Sequence, residues 1–243
     1  MHTLIRRVPF YGWLLAACWA LSSCADVPQD ANRVVVTPTA ASPLVQQTLA
    51  PQGVLRVGVY LGSPTSWLRD AKTGESSGVA FELGHLLAKQ LAVPVEIVQY
   101  PRVAEVIEAL KKNQVDMTFT NATAARAKEV DFTPALIQLE LGILVPMHSP
   151  IQRFEDADRS GVRLGVSQGS SSQGVLSQRL KNASIVPVPS LAQVQQMLNE
   201  RQLDAFATNK GILFELSEKV PGARVLPDRW GLENLALAIP PGR

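Results

Sequence analysis

The chain has 243 residues, is 46% hydrophobic and 18% charged, and carries a formal charge of +2. That surplus is Arg6 and Arg7 near the amino terminus; the remainder balances at 21 basic against 21 acidic side chains with no basic stripe interleaved with aromatics, which argues against a nucleic-acid partner. Both cysteines, Cys18 and Cys24, lie near the amino terminus, which excludes a disulfide framework, a zinc cluster and a cysteine nucleophile in the body of the chain.

Met1 to Arg7 is basic and without acids, and Val8 to Ala20 is almost wholly apolar. This is the layout of a secretory signal, and the apolar run is shorter than the roughly 20 residues of a membrane-spanning helix. Leu21-Ser22-Ser23-Cys24 follows and resembles a bacterial lipobox. The resemblance implies cleavage before Cys24 and its lipidation, so residues 1–23 are expected to be a lipoprotein signal peptide. Residues 24–52 contain Pro28, Pro38, Pro43 and Pro51 without a long helical or strand period, and are expected to be a flexible tether.

From Gly53 the pattern changes. Val54 to Tyr60 is apolar and compact and predicts a strand. Leu83, Leu86, Leu87 and Leu91 share one helical face. Val95 to Gln99 is a second strand. Val103, Val106, Ile107 and Leu110 recur at helical spacing, and Asn113 suits the exit because Asn tolerates the left-handed conformation. Val115 to Thr120 is a third strand. Strands separated by helices imply parallel pairing.

A second series begins with strands Leu141 to Pro146 and Val162 to Val166. A helix is expected over Ser172 to Leu180, a strand over Ile185 to Val188, and a helix marked by Leu191, Val194 and Leu198. Strand Asp204 to Thr208, helix Gly211 to Lys219, and strands Arg224 to Leu226 and Leu235 to Ile239 complete it. Two such series predict two α/β lobes, with a ligand cleft between them at the carboxyl ends of the parallel strands.

Two stretches carry chemistry. Asp116 to Thr133 runs from a buried strand through Asn121, Ala122 and Thr123 into a short helix with Arg126. Unpaired amides at a helix start favour an anion, and a guanidinium can grip a carboxylate with two parallel bonds. The alternative is a surface pairing of Arg126 with Glu129 or Asp131. The second stretch, Gly165 to Gln173, leads a strand through Gly169 and serines into a helix. Its plainer reading is an N-cap by Ser171 or Ser172.

These marks fall in an order that resembles the family-3 bacterial extracellular solute-binding proteins, the amino-acid-type receptors of ABC importers. "GVLRVGVY" resembles the opening strand, and "TGESSGVAFELGHLLAKQLAVPVEIV" the following helix and strand. "RVAEVIEALKKNQVDMTFTNATAARAKEVDFTPAL" resembles the most specific motif. "RLGVSQGSS" and "LNERQLDAFATN" resemble second-lobe motifs. The resemblance implies an α/β, two-lobed periplasmic-binding-protein (Venus flytrap) fold of type II. Lobe 1 would be residues 53–139, completed by about 232–243, and lobe 2 residues 140–231. The chain stops at Arg243, where family members continue with further helices, so a short or truncated carboxyl end is expected.

Residue by residue, the resemblance places Arg126 on the ligand carboxylate and Thr118, Phe119 and Asn121 at the strand-end contacts. It places Ser171 as the second-lobe contact, Asn209 where an aspartate ordinarily meets the ligand ammonium, and Trp67 or Tyr60 where an aromatic covers the side chain. Because Asn209 is neutral, a ligand without a free ammonium is expected unless Glu82 or Glu140 supplies the charge. The implied function is capture of a small anionic or zwitterionic solute for an ABC permease, by a periplasmic, membrane-anchored monomer without cofactor or metal. An enzyme of the same fold, similar to cyclohexadienyl dehydratase, is the rival, with Glu82, Glu105 and Glu140 as candidate acids; a third reading is a receptor for a membrane signalling partner.

Overall fold

A computed structural model describes residues 41–243, so the expected signal peptide, Cys24 and the first part of the tether lie outside the described residues. The first departure from expectation is a helix, α1 (Pro43–Leu49), inside the stretch read as tether. Ser42 caps it, Pro43 opens it, and Leu49 and Ala50 reach the first-lobe core. Seven residues are too few for a visible period, so packing rather than pattern decides this helix.

The first lobe starts from β1 (Leu55–Tyr60). A small hairpin, β2 (Leu68–Arg69) with β3 (Ser76–Ser77), leads into α2 (Val79–Leu91). Strand β4 (Val95–Tyr100), helix α3 (Val103–Lys111) and strand β5 (Thr118–Asn121) follow. β1 pairs in parallel with β4, and Val57 bridges in parallel to Met117 just before β5. The expected face of α3 is observed: Val103, Val106, Ile107 and Leu110 are buried, and Asn113 adopts φ 53° at the exit of α3. The leucine face expected for α2 is corrected: Ala80, Gly84, Ala88 and Leu91 make its buried side, Leu83 and Leu87 pack partly against the core, and Leu86 turns out to solvent. Gly78 precedes α2 at φ 125°, with its Cα so close to Ser66 that a Cβ would lie 2.6 Å from that carbonyl oxygen. The first amides of α2 donate to the carbonyls of Pro64, Thr65 and Ser66, which locks the 63–66 loop beneath the helix.

Past the short pairing segment β6 (Asp131–Phe132), the chain crosses on β7 (Ile137–Val145). The second lobe holds β8 (Arg163–Ser167), α4 (Ser171–Arg179), β9 (Ser184–Val188), α5 (Leu191–Asn199), β10 (Ala205–Asn209), α6 (Lys210–Ser217) and β11 (Arg224–Val225). β12 (Gly231–Ile239) returns to the first lobe, running antiparallel to β5. β7 and β12 pair with each other over Ile137–Leu141 and Gly231–Leu235, so both crossings form one two-stranded strap. Each is longer than its apolar run suggested, because the added residues lie on a half-solvated strap where alternation replaces a hydrophobic block.

The strand order β5-β12-β7-β10-β8-β9 joins both lobes into one sheet. The cores remain distinct. Leu55, Val57, Leu91, Met117 and Phe119 belong to the first, and Ile143, Leu164, Val166 and Leu176 to the second. The architecture is the two-lobed type II fold.

Candidate ligand-binding site

A cavity lies where the two lobes meet, lined from the first lobe by Tyr60, Asn121 and Arg126 and from the second by Ser171 and Asn209. Its floor is the strap and the carboxyl ends of β5, β8 and β10. Strand ends meet there because parallel crossovers bring successive strands out on the same side. The lobes touch across it. Asn121 Nδ2 donates to Ser171 Oγ at 3.2 Å. Tyr60 packs against the second-lobe core. Gly169, at φ 71°, comes so near Ala104 that a Cβ would lie 2.6 Å from the alanine methyl.

Arg126 is buried in this cavity, 9% exposed, on a three-residue helical turn rather than a full helix. The expected free amides are not there: Arg126 N–H donates to Thr123 Oγ1 at 3.2 Å and Ala127 N–H to the Thr123 carbonyl at 2.9 Å. The guanidinium makes no ion pair with Glu129 or Asp131. Its Nη1 donates to Thr120 Oγ1 at 2.9 Å and to the Asn121 carbonyl at 3.2 Å, and the rest of the fork has no partner among the described residues. Burial pulls its pKa down from the ordinary value, opposed by Tyr60, Glu233 and Glu129.

The second-lobe amides are as expected. Ser170, not Ser171 or Ser172, caps α4 through the Gln173 N–H at 3.2 Å. The amides of Ser171 and Ser172 take no protein partner among the described residues, and both residues line the cavity. A helix start with free amides favours an anion.

Asn209 also lines the cavity, but its surroundings differ from the expectation. Its Oδ1 caps α6 by accepting from the Ile212 N–H at 3.0 Å, and its Nδ2 donates to Glu233 Oε2 at 3.0 Å. Glu233, on β12, is 7% exposed and faces the same cavity. Burial pushes its carboxyl above the usual range, while Asn209 and Arg126 pull it back. The negative group missing at position 209 is therefore present two strands away in the sheet, on β12 across β7. An aspartate at 209 would set two carboxylates together, which raises one of their pKa values strongly; asparagine offers Glu233 a donor instead. The sequence reading did not place this carboxylate in the cavity. Neither Glu82 nor Glu140 supplies it: Glu82 is exposed, and Glu140 holds Lys210 at 2.7 Å and Arg229 at 3.1 Å. Glu105 pairs with Arg102 at 2.7 Å. One signal for Glu233 existed: Leu232-Glu233-Asn234-Leu235 alternates with leucine outward at 232 and glutamate inward at 233, the reverse of ordinary polarity.

Of the residues expected to meet ligand, the cavity brings together Arg126, Asn121, Ser171 and Asn209. Three lie elsewhere. Thr118 donates to the Gly58 carbonyl at 2.7 Å, tying β5 to β1 below the site. Phe119 is fully buried and packs in the first-lobe core. Trp67 packs against that same core, its indole N–H buried without a partner, because its strand bridges to Leu61 and Ser63 turn it inward. The aromatic in the cavity is Tyr60, whose phenol burial raises.

Comparison with known proteins agrees with this fold. The chain is 23% identical over 226 residues to the glutamine-binding protein of Geobacillus stearothermophilus, covering 90% of this chain and 86% of that one. It is 21% identical over 234 residues to the ABC transporter glutamine-binding protein GlnH of Bacillus subtilis (strain 168), covering 95% and 82%. It is similar in structure to an ancestral amino acid-binding protein, a precursor of cyclohexadienyl dehydratase, at a TM-score of 0.70 and 26% identity, covering 82% and 86%. Residues 55–220 match the family model for bacterial extracellular solute-binding proteins, family 3, and the chain belongs to that family.

Proposed function

We propose that this solute-binding protein of the amino-acid ABC transporter type captures a zwitterionic α-amino acid outside the cytoplasm. The observation that carries the proposal is the pair of opposite charges buried in one cavity, Arg126 and Glu233. Each senses the other's field without a hydrogen bond between them. A buried charge without a direct partner is costly, and a ligand carrying both signs would relieve both costs at once. The α-carboxylate would take the open part of the Arg126 fork and the Ser171 and Ser172 amides; the ammonium would take Glu233, oriented by Asn209. Closure over such a ligand is a hinge motion on the β7–β12 strap, driven by tighter binding to the closed form, which a permease would then read.

The same carboxyl could be viewed as a general acid. Its bond from the Asn209 amide favours the ionised form, which suits an ammonium acceptor. Glu233→Gln should weaken amino-acid binding by about 30-fold or more, the effect of truncating one side of a buried charge pair, while leaving binding of the matching 2-hydroxy acid nearly unchanged. Wild-type affinity for the amino acid should also fall as pH drops through the raised Glu233 range and the carboxylate is lost. Calorimetry across pH tests both; equal losses for the amino acid and the hydroxy acid would remove the assigned role.

Anchoring at Cys24 belongs to this reading. Cys24→Ser should shift the protein from the membrane pellet to the soluble extracytoplasmic fraction, and retention in the pellet would contradict the anchor.

A further inference from the structure

We infer that the amino acid this cavity takes has an uncharged, hydrogen-bonding side chain, and that cationic side chains are rejected. The inference rests on the zwitterion reading and concerns what remains of the cavity once the two main-chain groups are placed.

The charged side chains lining the cavity are Arg102, Arg126 and Glu233. Arg126 and Glu233 are assigned to the ligand carboxylate and ammonium. Arg102 is already matched by Glu105 at 2.7 Å. A third charge on the ligand therefore meets no free counter-charge. A lysine or arginine side chain would place a second cation near Arg126 and Arg102 in a space whose single carboxylate is taken. A glutamate or aspartate would have to compete with Glu105 for Arg102.

The rest of the polar wall is built of hydroxyls. Tyr60, Thr65, Ser167, Ser190 and Thr208 contribute them. Thr65 shares its hydrogen bond with Ser63 at 2.9 Å. Ser190 accepts from the Gln193 N–H at 3.3 Å, and its own hydroxyl proton is not used in that bond. A hydroxyl both donates and accepts, so this wall matches a carboxamide or a hydroxyl. The same wall also carries Val103, Val188, Leu191, Ile212 and Leu235, on which the apolar part of a side chain can pack; a purely aliphatic one would still close the lobes over hydroxyls it cannot pair, and each unsatisfied buried polar group is costly.

A long side chain would reach towards the larger open groove that borders the cavity at Pro101, Ser190 and Leu191. The acids there are not set to receive it. Asp70 accepts from the Lys72 and Thr73 amides at 2.7 Å. Glu215 lies 4.0 Å from Lys219, and Glu218 is exposed to solvent, where ion pairing is weak. Leu191 lines both the cavity and the groove at this border.

The test is calorimetric titration of the purified protein with glutamine, asparagine, serine and threonine, then lysine and arginine, glutamate and aspartate, leucine and phenylalanine, and 2-hydroxy acid counterparts. One of the neutral polar amino acids is expected to bind at least about 100-fold more tightly than any charged member, because the latter buries an unmatched charge. Tightest binding of a charged, aliphatic or aromatic member overturns this inference while leaving the zwitterion reading intact. A hydroxy acid that binds as tightly as its amino acid overturns the zwitterion reading instead, and absence of binding across the whole panel overturns both.

Discussion

Arg126→Ala should remove measurable amino-acid binding while moving the thermal midpoint of the unliganded protein by no more than about 2 °C. The guanidinium uses Nη1 on Thr120 and the Asn121 carbonyl and holds the rest of its fork without a partner among the described residues. In the unliganded state it brings the cost of a buried cation with little return. With a carboxylate present it forms charge-assisted parallel bonds. Truncating one side of such a desolvated pair costs about 2–5 kcal/mol, or roughly 30- to several-thousand-fold in affinity. Arg126→Lys should fall between, since an ammonium keeps the charge but not the fork. Calorimetry and thermal scanning of the two variants measure both halves of the claim, and unaltered affinity in Arg126→Ala would defeat it.

Asp116→Ala should be the most destabilising single change in the first lobe. The Asp116 side chain is fully buried and holds Arg56 through Nε and Nη2, both at 2.8 Å, and through its backbone N–H at 2.9 Å. It also accepts from Arg243 Nη1 at 2.7 Å. Removing it strands the Arg56 guanidinium beside β1, and breaking a buried pair from one side costs about 3–5 kcal/mol. That corresponds to roughly 6–20 °C in the melting temperature of a domain of this size. Arg243→Ala should cost less, because Arg56 keeps its carboxylate.

The pH dependence has a definite sign. Burial alone would push the Asp116 carboxyl up, but Arg56 and Arg243 more than offset it and hold it below the usual value. Its contribution is thus complete above the unfolded-chain value of about 3.9 and is lost as pH falls through the lower folded value. The stability gap between wild type and Asp116→Ala, read by urea unfolding, should close only in that acid range. A gap that persisted undiminished there would show that the carboxylate is not its source.

Much of the fold was legible from local pattern. The burial of Val103, Val106, Ile107 and Leu110, the left-handed Asn113 and the parallel β1–β4 pairing follow from helical spacing and from the need of parallel strands for a crossover. The site was half legible. Arg126, Asn121, Ser171 and Asn209 were reached through motif resemblance. The inward turns of Trp67 and Phe119 and the diversion of Thr118 to Gly58 were not, because each depends on which neighbour the strand meets.

Glu233 shows most clearly where local pattern stops. It joins Asn209 only because β12 pairs with β7 in the register Gly231 to Leu141, and β7 pairs with β10 in the register Leu141 to Asn209. By itself the sequence determined the two α/β series and the buried face of α3, since these are set by periodicity over neighbouring residues, while it left Arg126 open between a cleft and a surface pairing. The tertiary structure alone decided the second charge of the site, the length of the strap and the closing contacts, since strand register is a non-local choice and a shift of one residue would turn Glu233 to the opposite face.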